Sequence, residues 1–290
     1  MRRSSRQDQI FYSRGGVKVD KACEKRIGFL AILDLVFIVF LVLSGSFSGT
    51  LSTLFYILAF IIPICVGFYM TREESGNVDF LRLGGAREAL PFIAPTIGAV
   101  MLVSFLTSLL IGLISGKGNS IDLGDSLILA ILTHALAPAI LEEALFRFIP
   151  MRAMKGERWP VIMLFSALFF ALIHHSFFSI PYAFLAGLVF MLVDLIADSV
   201  WPSVIIHFLN NALSVILTFY ADIPAVSYVA ISALAALTAV SVIYIIYNKR
   251  KYEKIKEKMA DIRSISFTFP KEALMLVIPM LILAVMELIQ

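Results

Sequence analysis

Nine ionisable side chains, with two adjacent asparagines, lie in otherwise apolar stretches of this sequence: Asp34, His134, Glu142, Glu143, Arg147, His174, His175, Asp194 and His207, and beside the last Asn210 and Asn211. An ionisable group in a bilayer costs about 2.5–3.5 kcal/mol on insertion scales, so such groups usually face a bundle interior and have a function. Three clusters carry usable spacing. In Glu142-Glu143-Ala144-Leu145-Phe146-Arg147 the two carboxylates would repel in a low dielectric. Arg147 lies four residues after Glu143, with the acid N-terminal, which is the favourable helical pairing. Glu142 then points about 100° away and is left as a base. In Phe170-Ala171-Leu172-Ile173-His174 the phenyl ring lies one turn before the imidazole and packs on it, and His175 points elsewhere. In His207-Phe208-Leu209-Asn210-Asn211, His207 and Asn211 share a face and offer a ring N–H and an amide N–H in one direction. Fixed donors in a dry site stabilise developing negative charge.

Together these residues suit hydrolysis without a covalent nucleophile. Glu142 takes a proton from water that His174 also holds, and His207 with Asn211 binds the oxyanion. A second arrangement uses the same atoms: Glu142, His174 and His207 suit a zinc ion with one open position. Asn211 favours the metal-free alternative. It is a poor zinc ligand and a good oxyanion donor, which makes more sense if His207 is a donor too. Glu143 is committed to Arg147, which leaves no acid near in sequence to orient a zinc-bound histidine. No His is followed by Glu, so an H-E-x-x-H zinc site is absent, as is a G-x-S-x-G elbow. His134 and His175 read as interhelical hydrogen-bonding residues, and Asn210 as an interhelical contact. Asp34 and Asp194 carry no assigned chemistry.

The elements that must position these groups are apolar spans. Of 290 residues, 60% are hydrophobic and 16% charged, against about 25% charged in a soluble domain, and the mean hydropathy is +0.91. This excludes a soluble enzyme and a nucleic-acid-binding domain. A transmembrane helix needs about 20 apolar residues, and nine apolar segments can be read: 27–43, 50–70, 88–115, 124–150, 159–177, 180–198, 201–220, 224–247 and 272–289. The expected fold is an all-α, polytopic membrane helix bundle of eight or nine transmembrane helices. Residues 1–26 form a basic tail with no signal-peptide pattern, and 27–290 a single transmembrane domain with its catalytic core at about 124–220. Pro63 and Pro95 are expected to kink their helices. His174 lies some 15 residues along its segment, too deep for a vertical helix, so that helix must tilt or start outside the bilayer.

Lys and Arg set the orientation. Eight precede Ile27; Arg72, Arg82 and Arg87 fall in one break, Arg152, Lys155 and Arg158 in another, and seven in 248–270. These breaks alternate with ones that carry only Lys117. The positive-inside rule places the N-terminus in the cytoplasm. The run from Lys249 to Lys258 is then an ordinary cytoplasmic stop signal.

At these clusters the chain resembles the type II CAAX prenyl endopeptidases, the Ras-converting enzyme group, and their CPBP or Abi intramembrane protease relatives. The family pattern E-E-x-x-x-R, F-x-x-x-H, H-x-x-x-N occurs here in order at Glu142-Glu143 with Arg147, Phe170 with His174, and His207 with Asn211. The resemblance implies a glutamate-type intramembrane endopeptidase that removes the last three residues of a prenylated C-a-a-X sequence. It implies that Glu142 and His174 activate water, that His207 and Asn211 form the oxyanion hole, and that Glu143, Arg147 and Phe170 support them. Its implied partners are a prenylated peptide or protein and membrane lipid, with no nucleic acid and no cofactor. Zinc is the alternative on the same fold; a bacteriocin-immunity-type membrane protein and a transporter are the other readings. The compact chain and short outer loops suit the plasma membrane of a prokaryote.

Overall fold

The computed structural model describes residues 21–72, 86–115, 123–154, 159–174, 179–197, 199–248 and 278. They form eight helices: α1 (Lys21–Ser46), α2 (Gly49–Thr71), α3 (Ala86–Ser115), α4 (Leu127–Ala153), α5 (Trp159–Leu172), α6 (Ser179–Ala197), α7 (Trp201–Phe219) and α8 (Pro224–Tyr247). The secondary structure of the described residues is all-helical, and each helix falls on one of the first eight apolar segments. The segment 272–289 apart from Ile278, His175 and most of the basic breaks lie outside the described residues. Pro63 sits inside α2, and Pro91 and Pro95 inside α3, with helix on both sides of each.

Six of the eight helices are long and apolar enough to cross a membrane; α5 and the apolar part of α6 are shorter. With 14 residues, α5 is about 21 Å long, below the roughly 30 Å of a bilayer core. It ends at Leu172 rather than continuing to 177 as the apolar run suggested. His174 therefore stands in the turn that closes a short helix, not deep within a long one. Gly187 lets α6 lie against α5, since a Cβ there would stand 2.9 Å from Ala167 Cα. Small residues at such crossings let membrane helices pack where no hydrophobic force drives them together.

The main core cluster joins α1, α2, α4 and α5 through Phe37, Phe60, Phe146, Ile149 and Phe165. A second cluster joins α3, α6 and α7 through Ile97, Phe190 and Ile206. None of the residues of α8 is buried; it touches α3 through the Thr238 hydroxyl, which donates to the Ala94 carbonyl at 3.2 Å. Its apolar side chains suit lipid, which solvates them as well as a protein core would.

Helix α4 is not uniform. Two π-helical turns interrupt it, at Leu132–Leu136 and Ala144–Phe148. Each ends just before a proline, Pro138 or Pro150. Proline has no N–H and its ring crowds the carbonyl four residues back. The chain responds by widening the preceding turn: the Ala137 N–H reaches the Leu132 carbonyl, and the Ile149 N–H that of Ala144. Pro150 leaves the Phe146 carbonyl without its helical donor, and the buried Ser166 hydroxyl of α5 donates to it instead. Arg152 closes the far end of α4 onto α2, donating to the Thr71 hydroxyl at 3.1 Å and the Thr71 carbonyl at 3.2 Å.

Candidate active site

Between α3, α4, α6 and α7 lies a cavity of about 730 Å³. Glu142, His174, His207 and Asn211 all line it, although they come from three different parts of the chain. Their local geometry follows from the elements that carry them.

Glu143 and Arg147 are fully buried and form an ion pair, Nε to Oε2, at 3.1 Å. The contact is off the line of a hydrogen bond, and the two terminal guanidinium nitrogens also have no hydrogen-bond partner. Aromatic faces take their place. The guanidinium carbon sits 4.0 Å from the centre of the Phe170 ring and 5.4 Å from that of Phe190, where the ring quadrupole attracts a desolvated cation. The other Glu143 oxygen, Oε1, accepts from His207 Nδ1 at 2.7 Å. Glu143 is therefore shared between Arg147 and His207, not committed to Arg147 as the spacing suggested. The expectation that no acid orients the histidines is corrected accordingly.

His207 Nε2 faces the cavity, 3.9 Å from Glu142 Oε2. That gap is too wide for a hydrogen bond, but an oxygen atom about 2.8 Å from each can bridge it. His174 Nδ1 lies 2.9 Å from the Phe170 carbonyl. A carbonyl can only accept, so this nitrogen carries the proton. Phe170 packs on His174 as its spacing implied, ring centres 4.9 Å apart, and edge-on to His207 at 5.9 Å. One phenyl ring thus touches the arginine and both histidines.

Two positions differ from their sequence reading. Asn210 does not face away: it lines the same cavity and its amide donates to Asn211 Oδ1 at 3.3 Å. That leaves the Asn211 N–H groups free to donate. His134 is the other. It lines the cavity and makes no hydrogen bond or ion pair among the described residues. Asp34 and Asp194 are buried and do not line the cavity. Asp194 accepts from the Ser203 backbone N–H at 2.9 Å, satisfying a free donor at the start of α7 as an acidic cap does. Ser203 is one turn before His207, so this cap holds the start of the helix that presents the imidazole.

The comparison with protein-family models bears on these same residues. Residues 124–213 match the family described as type II CAAX prenyl endopeptidase Rce1-like. Over that segment the chain is similar to this family. No curated protein and no solved structure matches it. The Rce1-like segment runs from the start of α4 to Leu213 in α7, and so contains every residue of the three clusters. The match supports an intramembrane protease of the CAAX type in general, and hence a peptidase and an integral membrane protein.

Sequence reasoning missed Phe190, Tyr182 and Ser166. Tyr182 lines the cavity with its ring 6.2 Å from that of His174. None of the three has a spacing signal. Pro138 and Pro150 were available signals for the two π turns, and π turns often occur at functional sites. Among the described residues no three His, Cys, Asp or Glu side chains form a group able to hold a metal ion. The hydrogen bonds on His174 Nδ1 and His207 Nδ1 are of the kind that orient zinc ligands, but the side chains as arranged do not make the site.

Proposed function

We propose that this protein removes the C-terminal aaX tripeptide from prenylated CaaX proteins or peptides, by water that Glu142 activates. The observation that carries this reading is the convergence of Glu142, His174, His207 and Asn211 on one cavity. Water binds between the Glu142 carboxylate and His174. Glu142 takes one proton as the water oxygen adds to the scissile carbonyl carbon. His207 Nε2 and the Asn211 amide donate to the resulting oxyanion. The C–N bond then breaks, and the proton held by Glu142 passes to the leaving amine.

The oxyanion role sets a condition on His207. Its Nδ1 proton is spent on Glu143, so a donating Nε2 makes the ring an imidazolium. Glu142 and Glu143 as carboxylates, with Arg147 and this imidazolium, then sum to zero charge, which is what a low-dielectric site tolerates best. The reaction proceeds without a metal, with residues 124–220 as the catalytic core. The protein sits with its N-terminus in the cytoplasm, in the plasma membrane of a prokaryote. The prenyl chain partitions into lipid and brings the peptide to the site.

The test is purified protein with a farnesylated C-a-a-X peptide, before and after exhaustive chelation. Release of the intact tripeptide under both conditions is expected. No tripeptide would overturn the substrate assignment. Activity lost on stripping and restored by stoichiometric zinc would make His207 a ligand instead of an oxyanion donor.

A further inference from the structure

The cavity does not stop at the four residues assigned to hydrolysis. From His207 and Asn211 it continues along α7 past Asn210, Ser214 and Thr218, and across to Ser104 and Thr107 of α3. This arm is mixed in character. Hydroxyl and amide groups alternate with Val100, Met101 and Val215. A hydrocarbon chain gains nothing from such hydroxyls, whereas a peptide backbone entering the membrane needs hydrogen-bond partners. The arm therefore suits a short peptide with apolar side chains.

His134 lies on the α4 wall of this arm. It is solvent-accessible, it lines the cavity, and it has no partner among the described residues. It stands in the first π turn of α4, whose widened register is set by Pro138. From Glu142 back to His134 is eight residues, or about 12 Å of helix rise. Because Glu143 meets His207, the two helices lie side by side there. Ser214, seven residues beyond His207, is about 10 Å further along α7. An extended tripeptide spans about 10 Å.

We propose that His134 binds the free C-terminal carboxylate of the substrate and so sets the length of the released peptide at three residues. This rests on the peptidase reading above. With the scissile carbonyl between Glu142 and His207, three residues of extended chain run down the arm and bring the terminal carboxylate level with His134. An imidazole N–H donates to a carboxylate oxygen, and a charge-assisted bond of this type is stronger than a neutral one. A chain one residue longer would push its carboxylate past the imidazole, and a C-terminal amide would lose the charge that strengthens the bond. His134 is thus a specificity-determining residue and takes no part in the bond-breaking steps.

The experiment uses the full-length protein in lipid vesicles, with farnesylated peptides ending in aaX free acid, aaX amide, or aaX extended by one residue. Released peptides are identified by mass, and kcat/KM is measured for each. The wild type is expected to favour the free acid at least tenfold over the other two. His134→Ala should lose about tenfold on the free acid, mostly through KM, and clearly less on the amide, so that the preference for acid over amide shrinks. His134→Gln, which keeps an N–H donor, should recover part of the loss and guards against misfolding of the alanine variant. Binding of the free tripeptide product to Glu142→Gln protein should weaken by a similar factor when His134→Ala is added. If both His134 variants keep the wild-type preference for acid over amide, the carboxylate assignment fails while the peptidase reading stands. If the wild type releases no peptide from any substrate, both fail together.

Discussion

Glu142 and Glu143 are adjacent, and the structure separates their environments. Glu142 lines the cavity, half-buried, whereas Glu143 is fully buried between Arg147 and His207. Glu142→Gln should abolish hydrolysis, by at least 10²-fold, while thermal unfolding in detergent stays near that of the wild type. Glu143→Ala should fail differently. It leaves the Arg147 guanidinium buried and unpaired, a loss of about 3 kcal/mol or more for a broken buried pair, and it removes the acceptor that orients His207. Activity and unfolding temperature should therefore fall together. An active Glu142→Gln protein, or a stable but inactive Glu143→Ala protein, would mean that the two acids have exchanged roles.

At the scale of elements, the site depends on how α4 is wound and held. Ser166 compensates the carbonyl that Pro150 leaves free, and this contact joins α4 to α5 one helical turn from Phe170. Ser166→Ala leaves the Phe146 carbonyl buried without a donor, which costs about 1–3 kcal/mol, and should lower the unfolding temperature with a smaller effect on kcat. Gly187→Leu tests the α5–α6 crossing. A side chain there meets Ala167 backbone, so the helices must separate, and the His174 end of α5 should move relative to the cavity. Loss of activity with retained insertion into membranes is expected; wild-type kcat/KM would show that the crossing does not position His174.

For the whole molecule, six helices are long enough to cross a membrane and two are shorter, many exposed side chains are large and apolar, and several polar side chains converge on the cavity. Two short helices in succession preserve the parity of the chain, so the expected alternation of the basic breaks is the same whether or not they cross the membrane. Single cysteines placed in the 116–123 break should react with an impermeant thiol reagent from outside the cell, and those in 151–158 only after permeabilisation. Labelling of 116–123 from the cytoplasm would reverse the proposed orientation.

The existence and order of the eight helices were legible in the sequence because a bilayer allows few alternatives. An apolar run near 20 residues must satisfy its backbone internally, and a helix does so. Pairings four residues apart were legible too: Glu143 with Arg147 and Phe170 with His174 meet as helical spacing suggests. Contacts between helices were not. An apolar run carries little information about which face meets which neighbour, since lipid and helix are alike to a leucine. So Glu143 reaching His207, Asn210 turning to Asn211, Asp194 capping α7 and His134 facing the cavity were decided only when the helices packed. The length of α5 was decided there too: hydropathy continues past Leu172, but the helix ends where His174 must meet the cavity. The residue types announced the chemistry because each is costly in a membrane. Their shared cavity depends on helix rotations and on two proline-induced π turns, which only the folded chain defines.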